Sequence, residues 1–382
     1  MSKTILYSIA FIALGLGSGS LGPTLPALAA QTHVEMKQIS NLFIARSFGT
    51  MLGSWLIGRF YDRVSGHSLL AASLLASTTA LALMPAMDLL WALLMVSILL
   101  GVASASVNVG GNTLIARIHG DRVRPFMSAM HFAFGLGGLL APMLVAKFVN
   151  RTDGLQVTYW TIALLTLPAA LLTIFTKSPS LHLHNHSAAS IRLPALTLGF
   201  FVIFFFLEVG AEASLMGWIF SYAIDHGMSG KTAAHINSAF WAAFTMGRLA
   251  TIWLTTQFRA ISIVIANLSI TLIFAMAALI LPVSQLMLWV VAIGLGFSIA
   301  PVFPNTFGYA QRVLGLSGKV TGWFLVGSSA GSMFWPWMIG QFFKSQGPEV
   351  LIWVVMMNLC GALVTVGVLV GKRSQKAIES PD

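Results

Sequence analysis

Charge is what this chain has least of. Of its 382 residues only 8% are Asp, Glu, Lys or Arg, against roughly a quarter in a soluble domain. So few charges cannot cover a water-facing surface. The single cysteine, Cys360, excludes an internal disulfide and any cysteine-based metal or redox centre. Acids are scarcer than bases, eleven against 21, which leaves a net charge of +10. The bases are scattered over short loops rather than clustered, so a nucleic-acid partner is not expected. No nucleophile–base constellation, phosphate loop or metal-ligand spacing occurs, and no soluble sensor domain is appended. The expectation is therefore a protein that is not an enzyme and has no cofactor or metal site.

What the chain does have is apolar length, with 57% hydrophobic residues and a mean hydropathy of +0.85. Runs of about 20 apolar residues, each enough to cross a bilayer core of about 30 Å, recur along it. They predict twelve helical spans, at 4–30, 38–60, 67–86, 89–115, 124–148, 158–176, 194–224, 233–254, 262–281, 286–308, 320–343 and 350–371. The first passes through Gly22-Pro23 without a small-residue cleavage site and reads as a retained helix rather than a signal peptide.

An even number of spans puts both termini on one side. That side carries 14 of the 21 Lys and Arg residues, the other five, and Arg46 and Arg248 fall inside spans. The excess predicts cytoplasmic termini in a multi-pass protein of the plasma membrane, the inner membrane in a bacterium. Nothing points to an oligomer, so a monomer in the lipid bilayer is expected.

The longest polar interruption, TKSPSLHLHNHSAASIR at 176–192, divides the spans six and six. It predicts bundles over 1–176 and 194–382 joined by a cytoplasmic linker at 177–193. His182, His184 and His186 alternate there without a carboxylate or cysteine nearby, as in a solvated linker. The halves repeat weakly. A shift of 196 sets Asn41, Phe48 and Arg63 on Asn237, Phe244 and Arg259, and a shift of 193 sets Asn112-Thr113 on Asn305-Thr306. Such a repeat implies two pseudo-symmetric bundles with a solute site between them near mid-membrane. The fold class is thus all-α and polytopic, with twelve transmembrane helices in two six-helix bundles.

Sorting the eleven acids leaves two at membrane depth, Glu208 and Glu212, in FLEVGAEASLMGWIF. An ionised carboxylate at the bilayer centre costs about 2.5–3.5 kcal/mol on insertion scales, and two ionised groups one helical turn apart repel each other. A carboxyl that is neutral when occluded and ionised when wetted would serve proton coupling, whereas an ionised pair could ligate Na+. The structural alternative is a Glu that pairs with Arg248 and holds helices together. Arg248 shares a helix face with Asn237 and Trp241. It suits a counter-ion for Glu212, a fork for substrate oxygens or helix packing alone.

Arg46 has no acid in neighbouring spans, which leaves room for an anionic substrate group. His131 lies on the small-residue face of Gly135, Gly138 and Pro142. It fits a proton carrier, a substrate donor or a bond to the next helix. Asn108, Asn112 and Asn305, beside Trp218, Trp241 and Trp323 as ring platforms, suit an uncharged polyhydroxylated solute. Belt or core packing claims most of the eleven tryptophans.

The loop GRFYDRVSGH at 58–67 resembles the cytoplasmic signature of the major facilitator superfamily, G-x-x-x-D-R-x-G-[RK]. Gly58, Asp62 and Arg63 match it, one residue is extra before Gly66, and His67 replaces a fixed cation. The resemblance implies a charge latch that breaks as the bundles rock, or simply an anchored helix end. GLGSGSLGPTLPALAAQT, MHFAFGLGGLLAPML and EVGAEASLMGWIFSYA resemble the branch of fucose–proton symporters and sodium-dependent glucose transporters. That branch implies uptake of a monosaccharide or similar small-molecule solute coupled to H+ or Na+, and Glu212 matches its G-x-E pattern. The acids that fucose symporters carry in spans one and four are absent here, so coupling would rest on the C-terminal half. Efflux of drugs, siderophore-like compounds or metabolites in exchange for protons is the competing function.

Overall fold

A computed structural model describes residues 3–60, 65–179, 195–315 and 318–379. They form long helices that we number α1 to α12: Lys3–Gln31, Asn41–Phe60, Gly66–Leu83, Leu90–His119, Val123–Phe148, Gly154–Ile174, Ala195–Asp225, Gly230–Gln257, Ala260–Ile280, Gln285–Leu314, Gly318–Gln346 and Val350–Glu379. Each of the twelve expected spans coincides with one of them. The helices run past the apolar segments where basic residues carry them to the surface, as at Arg117 in α4 and Arg312 in α10. A four-residue helix, Met36–Ile39, leads into α2. Glu35 caps it reciprocally with Gln38.

Among the described residues nine of the helices are long and apolar enough to span a membrane by composition alone. The three that fall short are α2, α8 and α11. Each packs against the opposite half of the chain, where polar and small residues replace lipid-facing ones.

Glycine sets the closeness of packing. A side chain at Gly137 would fall on the carbonyl of Ile12, and one at Gly15 or Gly19 on the α5 backbone at Phe134 and Gly138. The α1 and α5 backbones are therefore in contact, as small residues allow in a bilayer. The halves meet at mid-depth where Trp241 of α8 lies on Gly138 and Thr245 on Gly135. On the pseudo-symmetric side Ser332 of α11 donates to Ser47 of α2 at 3.3 Å.

Toward the face opposite the termini, the halves stay closed. Trp218 of α7 is fully buried, donates from Nε1 to the Pro336 carbonyl at 2.9 Å, stacks on Phe343 at 4.7 Å and takes Phe43 at 5.9 Å. Gln341 donates to the Lys37 carbonyl at 3.1 Å and to Ser40 Oγ at 3.2 Å. Toward the face of the termini they part. The inner ends of α2 and α11 flank a groove of about 540 Å³ between Trp55 and Trp323. Those of α5 and α8 flank a cavity of about 620 Å³.

Gly137→Val forces a side chain into the α1 carbonyl, an overpacking cost of about 1–3 kcal/mol. It should lower the melting temperature of the purified protein by several degrees. Gly199→Val meets open space and should leave it nearly unchanged. Equal melting temperatures for the two variants would contradict this packing.

Candidate functional site

The site assembles on α7 and α8. Glu208 and Glu212 are one turn apart at the middle of α7, and Arg248 projects from α8. The Arg248 guanidinium (Nη2) lies 3.6 Å from Glu212 Oε1 and covers the Phe244 ring at 4.5 Å. Phe244 and Arg248 are four residues apart on one helix, so the cation–π contact preorients the arginine. Glu212 and Arg248 keep side-chain exposures of 14% and 28%; Arg248 lines the cavity and Glu212 lies behind it.

Glu208 is different. It is wholly buried, and neither carboxylate oxygen has a hydrogen-bond partner among the described residues. The two acids that look alike in sequence therefore occupy different environments.

The cavity beside Arg248 is lined by His131, Met127, Phe244, Thr245, Thr251 and Pro304, among others. His131 stands edge-on to Phe11 with ring centroids 5.4 Å apart. A histidine from the N-terminal half and an arginine from the C-terminal half thus face one space.

Other expected site residues lie elsewhere. Trp218 belongs to the closure on the far side, not to a cavity wall. Trp241, 1% exposed, fills the α5–α8 contact edge-on to Phe134, and its Nε1 has no partner among the described residues. Asn237, a little over one turn beyond, is wholly buried with both amide atoms unpaired among the described residues. Asn305 is buried and donates to the Pro301 carbonyl at 2.7 Å, satisfying its own helix. Asn112 donates to Asn108 Oδ1 at 2.6 Å; Asn108 is exposed, and neither amide lines the cavity with Arg248. Arg46 is partly buried with its guanidinium toward Gly17 of α1, and no ion pair reaches it among the described residues. Trp323 is half-exposed in the groove with Trp55.

Gly58 lies in the last turns of α2, and Asp62 and Arg63 lie outside the described residues, as does the linker tract from 180 to 194. His67 accepts from or donates to Tyr7 Oη at 2.8 Å and meets the Thr176 carbonyl at 2.7 Å. A carbonyl only accepts, so Nδ1 carries the proton and Nε2 accepts from Tyr7. His67 ties α1, α3 and the end of α6 together where the signature motif has a cation.

Phe244, Thr245 and Pro304 line the site and were passed over in the sequence reading. For Phe244 the signal was present, as the repeat mate of Phe48 four residues before Arg248. The family model of the Major Facilitator Superfamily matches residues 7–336.

The chain belongs to the Major Facilitator Superfamily.

Within that superfamily it is 28% identical to sodium-dependent glucose transporter 1A of Mus musculus, over 94% of this chain and 93% of the relative. It is 29% identical to sodium-dependent glucose transporter 1 of Homo sapiens, over 94% and 76%. Major facilitator superfamily domain-containing protein 4A of Danio rerio is 24% identical, over 90% and 83%. In fold it is similar to a crystal structure of the nucleoside transporter NupG, with a TM-score of 0.75, 15% identity and coverage of 96% and 98%. As a superfamily member it is a multi-pass membrane transporter, as the relatives are by name.

Arg248→Ala leaves Glu212 without its counter-ion. Breaking a buried pair by removing one partner costs about 3–5 kcal/mol, and the partial exposure of both groups here brings the expected loss to about half of that. The double variant Glu212→Gln/Arg248→Ala should recover stability relative to Arg248→Ala alone. Additive losses in a thermal-denaturation cycle would show the two are uncoupled.

Proposed function

We propose that this superfamily member is a secondary active transporter that moves a small polar solute, a monosaccharide, by alternating access coupled to H+ or Na+. One observation carries the reading. Glu212, one of the two acids at membrane depth, meets Arg248 beside a cavity that opens toward the termini and is sealed on the other side. An ionisable group at that depth is a functional site by default, and a site between two repeats near mid-membrane is where rocking bundles expose a solute to each side in turn. The relatives named as sodium-dependent glucose transporters support the solute class and the ion. The excess of positive charge on the terminal side supports a cytoplasmic opening, so the conformation described is inward-facing.

In this cycle Glu212 releases Arg248 when it is neutralised by a proton or engaged by Na+. The freed guanidinium and His131 then face the solute from opposite halves. Solute hydroxyls bridging the two would draw α5 and α8 together at their inner ends, closing the cavity as the far side opens.

Proteoliposomes under imposed pH or Na+ gradients, with a panel of radiolabelled sugars, test this. The expectation is gradient-driven accumulation of a sugar by the wild type and its loss in Glu212→Gln. Absence of counterflow for every sugar, together with gradient-driven extrusion of a dye or siderophore, would replace symport by efflux. The rocking itself is read from Ser47→Cys/Ser332→Cys in a Cys360→Ser background. The pair should crosslink readily and arrest transport, with reductant restoring it; transport at the wild-type rate with the crosslink in place would exclude separation at that contact.

A further inference from the structure

Three observations converge on Glu208. It has no exposure and no partner for either oxygen among the described residues. In the same bundle, α10 is not one continuous helix. Its regular turns stop at Ile299 and resume at Val302, with Ala300, Pro301 and Val302 all buried. Proline has no N–H to give, so Pro301 and Pro304 leave the carbonyls of Phe297 and Ala300 without their usual i+4 donors. At membrane depth such interrupted backbone occurs where it is buried in protein or lines a cavity, and freed carbonyls there are ligands for Na+.

The register brings break and acid to the same level. The Phe205 and Phe303 rings meet at 5.3 Å between antiparallel α7 and α10. One turn further from the face of the termini, α7 carries Glu208 and α10 carries Ile299 and Ala300 at the same level. On the other flank the Phe297 carbonyl lies against Gly247 of α8, the neighbour of Arg248. A wholly buried anion without a proton donor or cation is costly. Carbonyl oxygens that have lost their donors are costly as well.

Resting on the transport reading above, we infer that Glu208 and the proline-freed carbonyls of the α10 break form a Na+ site, distinct from the Glu212–Arg248 pair. Na+ satisfies an anionic carboxylate and neutral carbonyls at once, which neither a second cationic side chain nor a hydrogen-bond donor is positioned to do. The two acids then divide the work. Glu208 holds the ion, and Glu212, one turn away, senses its charge by loosening or tightening on Arg248 at the cavity edge.

Radiolabelled Na+ binding to the purified full-length protein in detergent, with choline replacing sodium and no solute present, tests the site. The wild type should bind Na+ saturably. Glu208→Gln should bind it about thirtyfold more weakly or worse, as expected when a buried charge pair loses one member. Pro304→Ala returns an N–H to the Ala300 carbonyl and should weaken binding as well. If Glu208→Gln does not fold, Glu208→Asp, which retracts the carboxylate by one methylene, carries the test with Pro304→Ala. No saturable Na+ binding by the wild type, or wild-type affinity in the Glu208 variant and Pro304→Ala, overturns the site. Proton-driven sugar uptake without Na+ binding overturns the site alone. Saturable Na+ binding by a protein that carries no sugar overturns the solute reading alone.

Discussion

A bilayer supplies no water to a polar group inside it, and nearly every polar contact in this protein answers that constraint. Most hydroxyls are satisfied by their own helix, as when Thr24 donates to the Ser20 carbonyl at 2.7 Å and Thr158 to that of Gly154 at 2.7 Å. Others pair across helices, as Ser73 with Ser106 and Thr271 with Ser298. Against this background the unsatisfied groups are informative. Many lie in α7, α8 and α10, at Glu208, Ser214, Asn237, Trp241 and Thr306. A half-satisfied buried network is costly, so its concentration in the C-terminal half marks where the protein accepts instability for something other than folding.

The two halves share an architecture and not a chemistry. Arg46 and Arg248 lie at similar depth, yet among the described residues only Arg248 has an acid to meet. Arg46 lies over Gly17, and Thr24 and Tyr159 satisfy each other nearby. The N-terminal half therefore offers His131 and a cationic charge, while the C-terminal half holds both carboxylates. An ion arriving in one half is felt by the other only across the cavity or through the mid-depth contact of Trp241 with Gly138. That contact has little slack, since a single methyl group added at Gly138 would meet the indole ring.

How much of this could be read from sequence depended on the kind of signal. Apolar length and its breakers located all twelve helices, because crossing lipid leaves few alternatives. The Glu212–Arg248 proximity was foreseeable, since the only acids at depth and an arginine one helix away have few other partners. Trp218 and Trp241, expected as solute platforms, are buried here in a seal and a helix interface, because a tryptophan carries the same composition signal in a seal, a helix interface or a binding wall. Burial decides between them, and burial depends on which faces of α2, α5, α8 and α11 meet across the halves. The same applies to Asn305, whose amide is used by the carbonyl of Pro301. Pro301 and Pro304 were visible as residues, but their consequence, free carbonyls level with Glu208, needs the antiparallel register of α7 and α10.

That register also bears on why the far side can open at all. The seal between halves there is modest. Its contacts include Phe43 against Trp218, two hydrogen bonds from Gln341 and close glycine contacts such as Gly340 on Ser40 and Gly22 on the Met216 carbonyl. Net contributions of about 0.5–1.5 kcal/mol for each hydrogen bond and a similar amount for the aromatic pair sum to a few kcal/mol. Trp218 keeps its bond to Pro336 whether or not Phe43 leaves, because both partners belong to the C-terminal half. Opening thus breaks only contacts that cross between halves. Moving a two-state equilibrium from one extreme to the other takes about 5.5 kcal/mol of differential binding. A seal of a few kcal/mol lies within reach of an ion and a solute bound together and is strong enough to hold the cavity closed on the far side without them. A seal built from larger interlocked side chains would exceed what a small polar ligand can supply, and the sparse, glycine-lined contact is accordingly what alternating access requires.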